Sequence, residues 1–204
     1  VAVTADNIIV TAGSTQALDL VTRLLLDAGQ EAIIDEPMYA GTLHTLLVCG
    51  VSFVPVRSDP FSGIDVLATE ERLRLGQPRF IYTVANFHNP LGSTVPFEAR
   101  QRLCALAQAY GVPIIEDDPY GALYFDNTPP PPAIKAFDTS DNVVYLGSFS
   151  KIMAPGLRLG WLVASGELYQ RLLWMKQGTD MVTSGLTQMM AYEYCRRGWI
   201  EPQL

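Results

Sequence analysis

Cysteine is scarce and scattered. Cys49, Cys104 and Cys195 are the only three, and no two stand at C-x-x-C spacing. A disulfide framework and a zinc site are therefore not signalled, no metal is expected, and a reducing cytoplasm fits best. Cationic charge is also in short supply, with 14 Lys and Arg against 21 Asp and Glu, a formal net charge of −7. That balance argues against a nucleic-acid surface. No apolar run is long enough to span a membrane, and no basic segment followed by an apolar one opens the chain, so neither insertion nor secretion is indicated. There is no internal repeat and no sign of a second domain. What remains is a chain of 204 residues, 49% hydrophobic and 17% charged, enough for one sizeable core. It begins at Val1, without an initiator Met, which suggests a piece of a longer protein.

Short apolar runs alternate with helical patterns. Strands are predicted at 7–11, 31–35, 51–56, 79–84, 112–115, 142–146 and 157–164, with Pro55 pointing to an edge. Helices are predicted at 17–26, 39–48, 64–75, 96–110, 167–177 and 184–197. The fourth of these is the best marked, with Pro96 at its start and Gly111 at its stop. Four consecutive prolines, Pro129 to Pro132, make residues 126–141 a stiff extended connection. This alternation predicts an α/β three-layer sandwich around a mostly parallel seven-stranded sheet. The turn from Gly147 to Gly156 is too short for a covered crossover, so the last strand should run antiparallel.

The stretch Gly147-Ser148-Phe149-Ser150-Lys151-Ile152-Met153-Ala154-Pro155-Gly156-Leu157-Arg158-Leu159-Gly160-Trp161 organises the rest. A lysine among small residues at the end of a buried strand should be poorly solvated, which favours the neutral amine as a nucleophile toward a carbonyl. Ser148, Ser150 and Arg158 offer hydroxyl donors and a fixed positive fork, suited to a phosphate. An aldehyde carrying a phosphate satisfies both halves: pyridoxal 5′-phosphate, held as a Schiff base on Lys151. Upstream, Gly13, Ser14 and Thr15 form a strand-to-helix turn whose free N–H groups make a ready phosphate site; Ser14 is equally a good helix cap. Tyr39 follows the second strand as a turn or rim aromatic. Asn89-Pro90 is a turn signal, and His88 beside it reads as a loop residue. Glu116-Asp117-Asp118 reads as a solvated acidic turn or a hard-metal site. In open sheets ligands sit beyond the carboxyl ends of strands. Ser14, Tyr39, Asn89, Asp117 and Lys151 each follow a predicted strand, and Arg158 begins the antiparallel one, so all six should share one edge.

Ser-x-Ser-Lys-x(6)-Arg after a strand resembles the cofactor-lysine motif of fold type I pyridoxal-phosphate enzymes, specifically the class I/II aminotransferases. The form SFSKxxxPGLRLGW is similar to the branch containing 2-aminoadipate and kynurenine aminotransferases. The resemblance extends from Thr11 to Trp161. It implies that Gly13, Ser14 and Thr15 hold the phosphate, although Thr15 replaces a glutamine common in the branch. It implies that Tyr39, in DEPMYAG, stacks on the pyridine ring. Asn89 would donate to the 3′-oxygen, despite Leu91 where the family has Thr. Asp117 would pair with the ring nitrogen and Tyr120 bond the 3′-oxygen, with Asp118 the rival for Asp117's role.

The implied activity is amino transfer from an α-amino acid to a 2-oxo acid, with Lys151 as general base and acid. Residues 1–204 would correspond to the family's cofactor-binding large domain, without the N-terminal arm and C-terminal small domain of its members. Nothing matches the arginine that binds the substrate carboxylate, so these residues alone should transaminate poorly. A homodimer is expected of the intact protein. Two alternatives stay open. One is the effector domain of a transcription regulator on the same fold, whose acidic motif usually reads EDDYD where this chain has EDDPYG. The other is a lyase or decarboxylase using the same cofactor.

Overall fold

Branched apolar residues at alternate positions decide the layering. The computed structural model describes residues 3–125 and 127–204. Its strands are β1 (Ile8–Thr11), β2 (Glu31–Glu36), β3 (Ser52–Asp59), β4 (Gly63–Ile64), β5 (Ile81–Thr83), β6 (Ile114–Asp118), β7 (Val143–Ser148) and β8 (Gly160–Val163). They form one sheet in the order β1-β8-β7-β6-β5-β2-β3-β4. From β7 to β3 every pairing is parallel. β8 runs antiparallel to both β7 and β1, as the short turn before it requires.

In β2, β5, β6 and β7 both side-chain faces are apolar, as buried parallel strands demand. Ile33, Ile81, Ile114 and Val143 face one layer, with Leu103, Cys104 and Ala107 of α4 (Phe97–Tyr110) and Leu73 of α3 (Val66–Leu75). Their neighbours Ile34, Tyr82, Ile115 and Val144 face the other layer. That layer holds Leu18 and Val21 of α1 (Ser14–Leu25), Leu46 of α2 (Ala40–Val48) and Leu172 of α5 (Gly166–Asp180). The remaining helix, α6 (Gly185–Arg196), buries only Ala191. This is the expected three-layer α/β sandwich.

Several boundaries differ from expectation for identifiable reasons. The two-residue β4 adds an eighth strand, paired antiparallel with Ser58 and Asp59 at the far end of β3. Pro55 therefore still lies on an otherwise unpaired edge. β6 continues through the acidic residues to Asp118, because alternation sends adjacent carboxylates to opposite layers. Glu116 accepts from the N–H groups of Ile134 and Lys135, at the start of a 3₁₀ turn (Ile134–Phe137) on the α4 side. The acidic triplet is thus neither a solvated turn nor a shared cation site. Among the described residues no group of three or more His, Cys, Asp or Glu could hold a metal ion. Likewise no helix there is long and apolar enough to cross a membrane.

β8 begins at Gly160, not at 157. Residues Pro155–Leu157 form a 3₁₀ turn, and Arg158 has φ 48°, a left-handed conformation that cannot extend a strand. Within the proline-rich connection, Asp126 lies outside the described residues. Pro131 and Pro132 are anchored there, their carbonyls accepting from the guanidinium of the fully buried Arg100.

Candidate functional site

At the carboxyl edge of the sheet lies a cavity of about 330 Å³, within the range of small-ligand sites. Ser14, Thr15, Tyr39, Asn89, Asp117, Tyr120, Ser148, Ser150, Lys151 and Arg158 all line it. Gly13 is not a lining residue, but it shapes the wall. Its φ is +89°, and a Cβ there would come within 2.6 Å of Arg158 Nη2. Gly160 is equally constrained. A Cβ on it would meet the Gly13 carbonyl carbon, the Ser14 nitrogen and the Gly147 oxygen, each at 2.8 Å. Backbone contact between β7, β8 and the β1–α1 turn is thus what draws Ser14, Ser148 and Arg158 together.

One end of the cavity is built to receive negative charge. α1 starts at Ser14, so its first N–H groups lack intrahelical acceptors and carry the positive end of the helix dipole. Gly13, not Ser14, is the capping residue, and the Ser14 hydroxyl makes no cap. Ser148 Oγ accepts from the Ser150 N–H at 3.1 Å, which leaves its own proton to donate. Arg158 spends one donor on the Pro155 carbonyl, and among the described residues the rest of its fork has no other partner while it lines the cavity.

The other end is acidic and buried. Asp117 is 8% exposed, and Tyr82 donates to its Oδ2 at 2.8 Å. Its Oδ1 is buried and has no hydrogen-bond partner among the described residues. Burial, with Asp118 and Asp35 adding to it, pushes the Asp117 carboxyl up to about 6 against the opposing Tyr82 bond. Asn89 Nδ2 donates to the Tyr120 hydroxyl at 3.2 Å, and both line the same cavity as Asp117. Tyr39 caps the rim at 56% exposed, its ring lying over Gly41.

Two expectations need correction. Lys151 lines the cavity but is exposed, because β7 ends at Ser148 and Lys151 rides on the following turn. The argument from a desolvated strand-end amine therefore does not hold for this chain. Asp118, the rival carboxylate, is on the opposite face: it accepts from Tyr145 at 2.9 Å and borders a different cavity.

Sequence reasoning missed the groups beneath the floor. Tyr82 sits in the three-residue β5, and a tyrosine buried in an apolar strand needs a partner for its hydroxyl; that signal was there to read. His88 is a loop residue as expected, but it is 1% exposed, with Nε2 3.4 Å from Asp35 Oδ2, and it does not line the cavity.

The buried carboxylates set a measurable pH dependence. Burial raises Glu116 to about 7 and Asp117 to about 6, from ordinary values of 4.5 and 3.8. Between about pH 4 and 7 the native chain therefore binds protons that the unfolded chain has released. Stability must fall as pH rises through this window, by a few kcal/mol for the pair. Carboxylates held low by partners, such as the covered Asp138 beside Lys135 and the exposed Glu193, act only at more acidic pH. The urea midpoint of the protein without added ligand should be higher at pH 5 than at pH 8. Glu116→Gln with Asp117→Asn should flatten that slope; an unchanged slope in the double variant would refute the assignment.

The family model described as aminotransferase class I and II matches residues 1–194. Among curated proteins, the chain is 37% identical to 2-aminoadipate transaminase of Thermus thermophilus, over 98% of this chain and 51% of that one. It is also 35% identical to an uncharacterized HTH-type transcriptional regulator of Bacillus subtilis, over 99% of this chain and 41% of that one. Among solved structures, Pyrococcus horikoshii kynurenine aminotransferase, crystallised with PMP, superposes with a TM-score of 0.92 at 35% identity. That match covers 98% of this chain and 51% of the other. The chain thus spans about half the length of the aminotransferases it matches.

Proposed function

The chain belongs to the class I and II aminotransferase family, and on that premise we propose that it is the cofactor-binding large domain of a pyridoxal-phosphate-dependent aminotransferase. The observation that carries this reading is the orphaned Oδ1 of Asp117, a buried acceptor in a cavity whose other end gathers anion donors. A protonated ring nitrogen would supply the missing donor, and a phosphate would suit Ser14, Ser148, Ser150, Arg158 and the start of α1. When bound, pyridoxal 5′-phosphate would act as an electron sink for bonds to the amino acid's Cα.

The chain's own residues do the rest. Asp117 would hold the ring nitrogen and its proton. Asn89 and Tyr120 would hold the ring oxygen, and Tyr39 would cover one ring face. Gly13, Ser14, Thr15, Ser148, Ser150 and Arg158 would fix the phosphate and so the cofactor's position. Lys151 Nζ would bind the aldehyde carbon, and once released it would take the proton from the substrate's Cα and give it back. The substrates of the intact protein would be an α-amino acid and a 2-oxo acid, and its assembly a homodimer in the cytoplasm. The HTH-type regulators share this half of the fold, so a cofactor held without turnover is the competing reading. The test is to incubate the protein with pyridoxal 5′-phosphate, reduce with borohydride and map the adduct. A single adduct at Lys151, formed far more readily with pyridoxal 5′-phosphate than with pyridoxal, supports the reading; no adduct, or equal loading of the two, refutes it. Amino transfer by the intact protein then separates enzyme from sensor.

A further inference from the structure

The floor of the cavity is a short chain of hydroxyls that the assigned roles do not use. Tyr82 is 1% exposed and points from β5 into the layer shared with α1 and α2. Its single proton goes to Asp117 Oδ2, 2.8 Å away. Thr42 Oγ1 lies 3.2 Å from the same Tyr82 oxygen. A phenol has one proton to give, so with that proton on Asp117 the remaining bond must run from the Thr42 hydroxyl to the Tyr82 oxygen. The order is therefore Thr42 to Tyr82 to Asp117. Thr42 belongs to the first turn of α2, directly after Tyr39, the helix's capping residue. The chain of hydroxyls thus ties the carboxylate to the helix that carries the rim aromatic.

We propose that Tyr82, backed by Thr42, is a positioning residue for the ring-binding carboxylate: it engages Oδ2 of Asp117 from beneath, so that Oδ1 alone is presented to a ring N–H. This rests on the preceding reading of the cavity as a pyridoxal-phosphate site. Two consequences follow. The carboxylate cannot rotate without breaking a buried hydrogen bond, so its acceptor is oriented before the ligand arrives. The Tyr82 bond also stabilises the ionised carboxylate. A carboxylate so stabilised is a weaker base, and the shared proton then rests on the ring nitrogen. The other groups facing Asp117 do not substitute for it. Asp118 follows it on β6, Asp35 approaches from β2, and both disfavour its charge. His88 lies against Asp35, and Lys151 and Arg158 stand at the cavity wall.

The experiment has two readouts, neither of which is activity. In the cofactor-free protein the Asp117 side-chain carbon is titrated by carbon NMR, with Asp117→Asn to assign it. Loss of a hydrogen bond to a charged group should raise the Tyr82→Phe midpoint by about one to two pH units, and Thr42→Val should raise it less. In protein loaded with nitrogen-labelled pyridoxal 5′-phosphate, the ring-nitrogen resonance of Tyr82→Phe should move toward that of unprotonated pyridine. Thermal melting checks that each variant is folded. Either readout remaining at its wild-type position in folded Tyr82→Phe overturns the proposal. Wild-type protein that takes up no cofactor would sink the preceding reading instead, and the carboxyl midpoint would still decide whether Tyr82 controls Asp117.

Discussion

Replacing Lys151 with alanine will abolish the borohydride-reducible adduct with pyridoxal 5′-phosphate. The chain has only three lysines. Lys135 and Lys176 are buried and engaged with Asp138 and Asp180, so neither is available to an aldehyde in the folded protein. Lys151 is exposed on the cavity wall, and its removal leaves no competing side-chain amine. That same exposure makes the adduct's position a weak criterion by itself, since any aldehyde would find Lys151 first. The phosphate supplies the discrimination. Pyridoxal lacking its phosphate cannot use Ser14, Ser148, Ser150, Arg158 or the α1 terminus. Hydrogen bonds to charged groups are worth about 1.5–3 kcal/mol each. Even two of them imply that pyridoxal should load at least about 100-fold more weakly than its phosphate. Equal loading of the two compounds, measured by adduct yield against concentration, would show that Lys151 is reacting as a surface amine.

How the site could be read from sequence depends on how local each cause is. Strand-turn-helix punctuation is local, so the β1–α1 turn and the lysine turn were legible, and the short link from Gly147 to Gly156 fixed the direction of β8. The three acidic residues of β6 were harder. Their separation depends on Glu116 meeting N–H groups at Ile134 and Lys135, on a segment that returns only after the prolines. The exposure of Lys151 was hidden for a related reason: whether a turn residue is covered depends on what packs over it, and that is not written in its neighbours. Residues 157–164 read as one strand, whereas Arg158 takes a left-handed conformation with its guanidinium against Gly13. Tyr82 and Thr42 are 40 residues apart and meet only because β5 and α2 share a layer.

Asp117→Asn is expected to move two measurements in opposite directions. Asparagine keeps the shape and can still accept from Tyr82, but it carries no charge and offers an N–H where Oδ1 was. In the cofactor-free protein this removes a buried carboxylate whose ionisation is disfavoured by burial and by Asp118 and Asp35. At pH 8 the variant should therefore be more stable than wild type by about 1–3 kcal/mol. In the presence of pyridoxal 5′-phosphate the sign reverses. The ring nitrogen loses a buried, charge-assisted acceptor, and a desolvated pair of this kind couples by several kcal/mol. Affinity should fall about 10²–10³-fold, and amino transfer by the intact protein by at least as much, because an unprotonated ring is the poorer electron sink. A residue with a purely structural role would not separate these effects, since its loss lowers stability and binding together. Stability held at a site's expense is what a binding carboxylate without its cation should show. Unfolding midpoints and cofactor titrations on the same two proteins decide it. If the asparagine variant binds the cofactor as tightly as wild type, Asp117 is not the ring's partner. Asp118 could not take its place, because it lies on the opposite face of β6, beside Tyr145, and borders a different cavity.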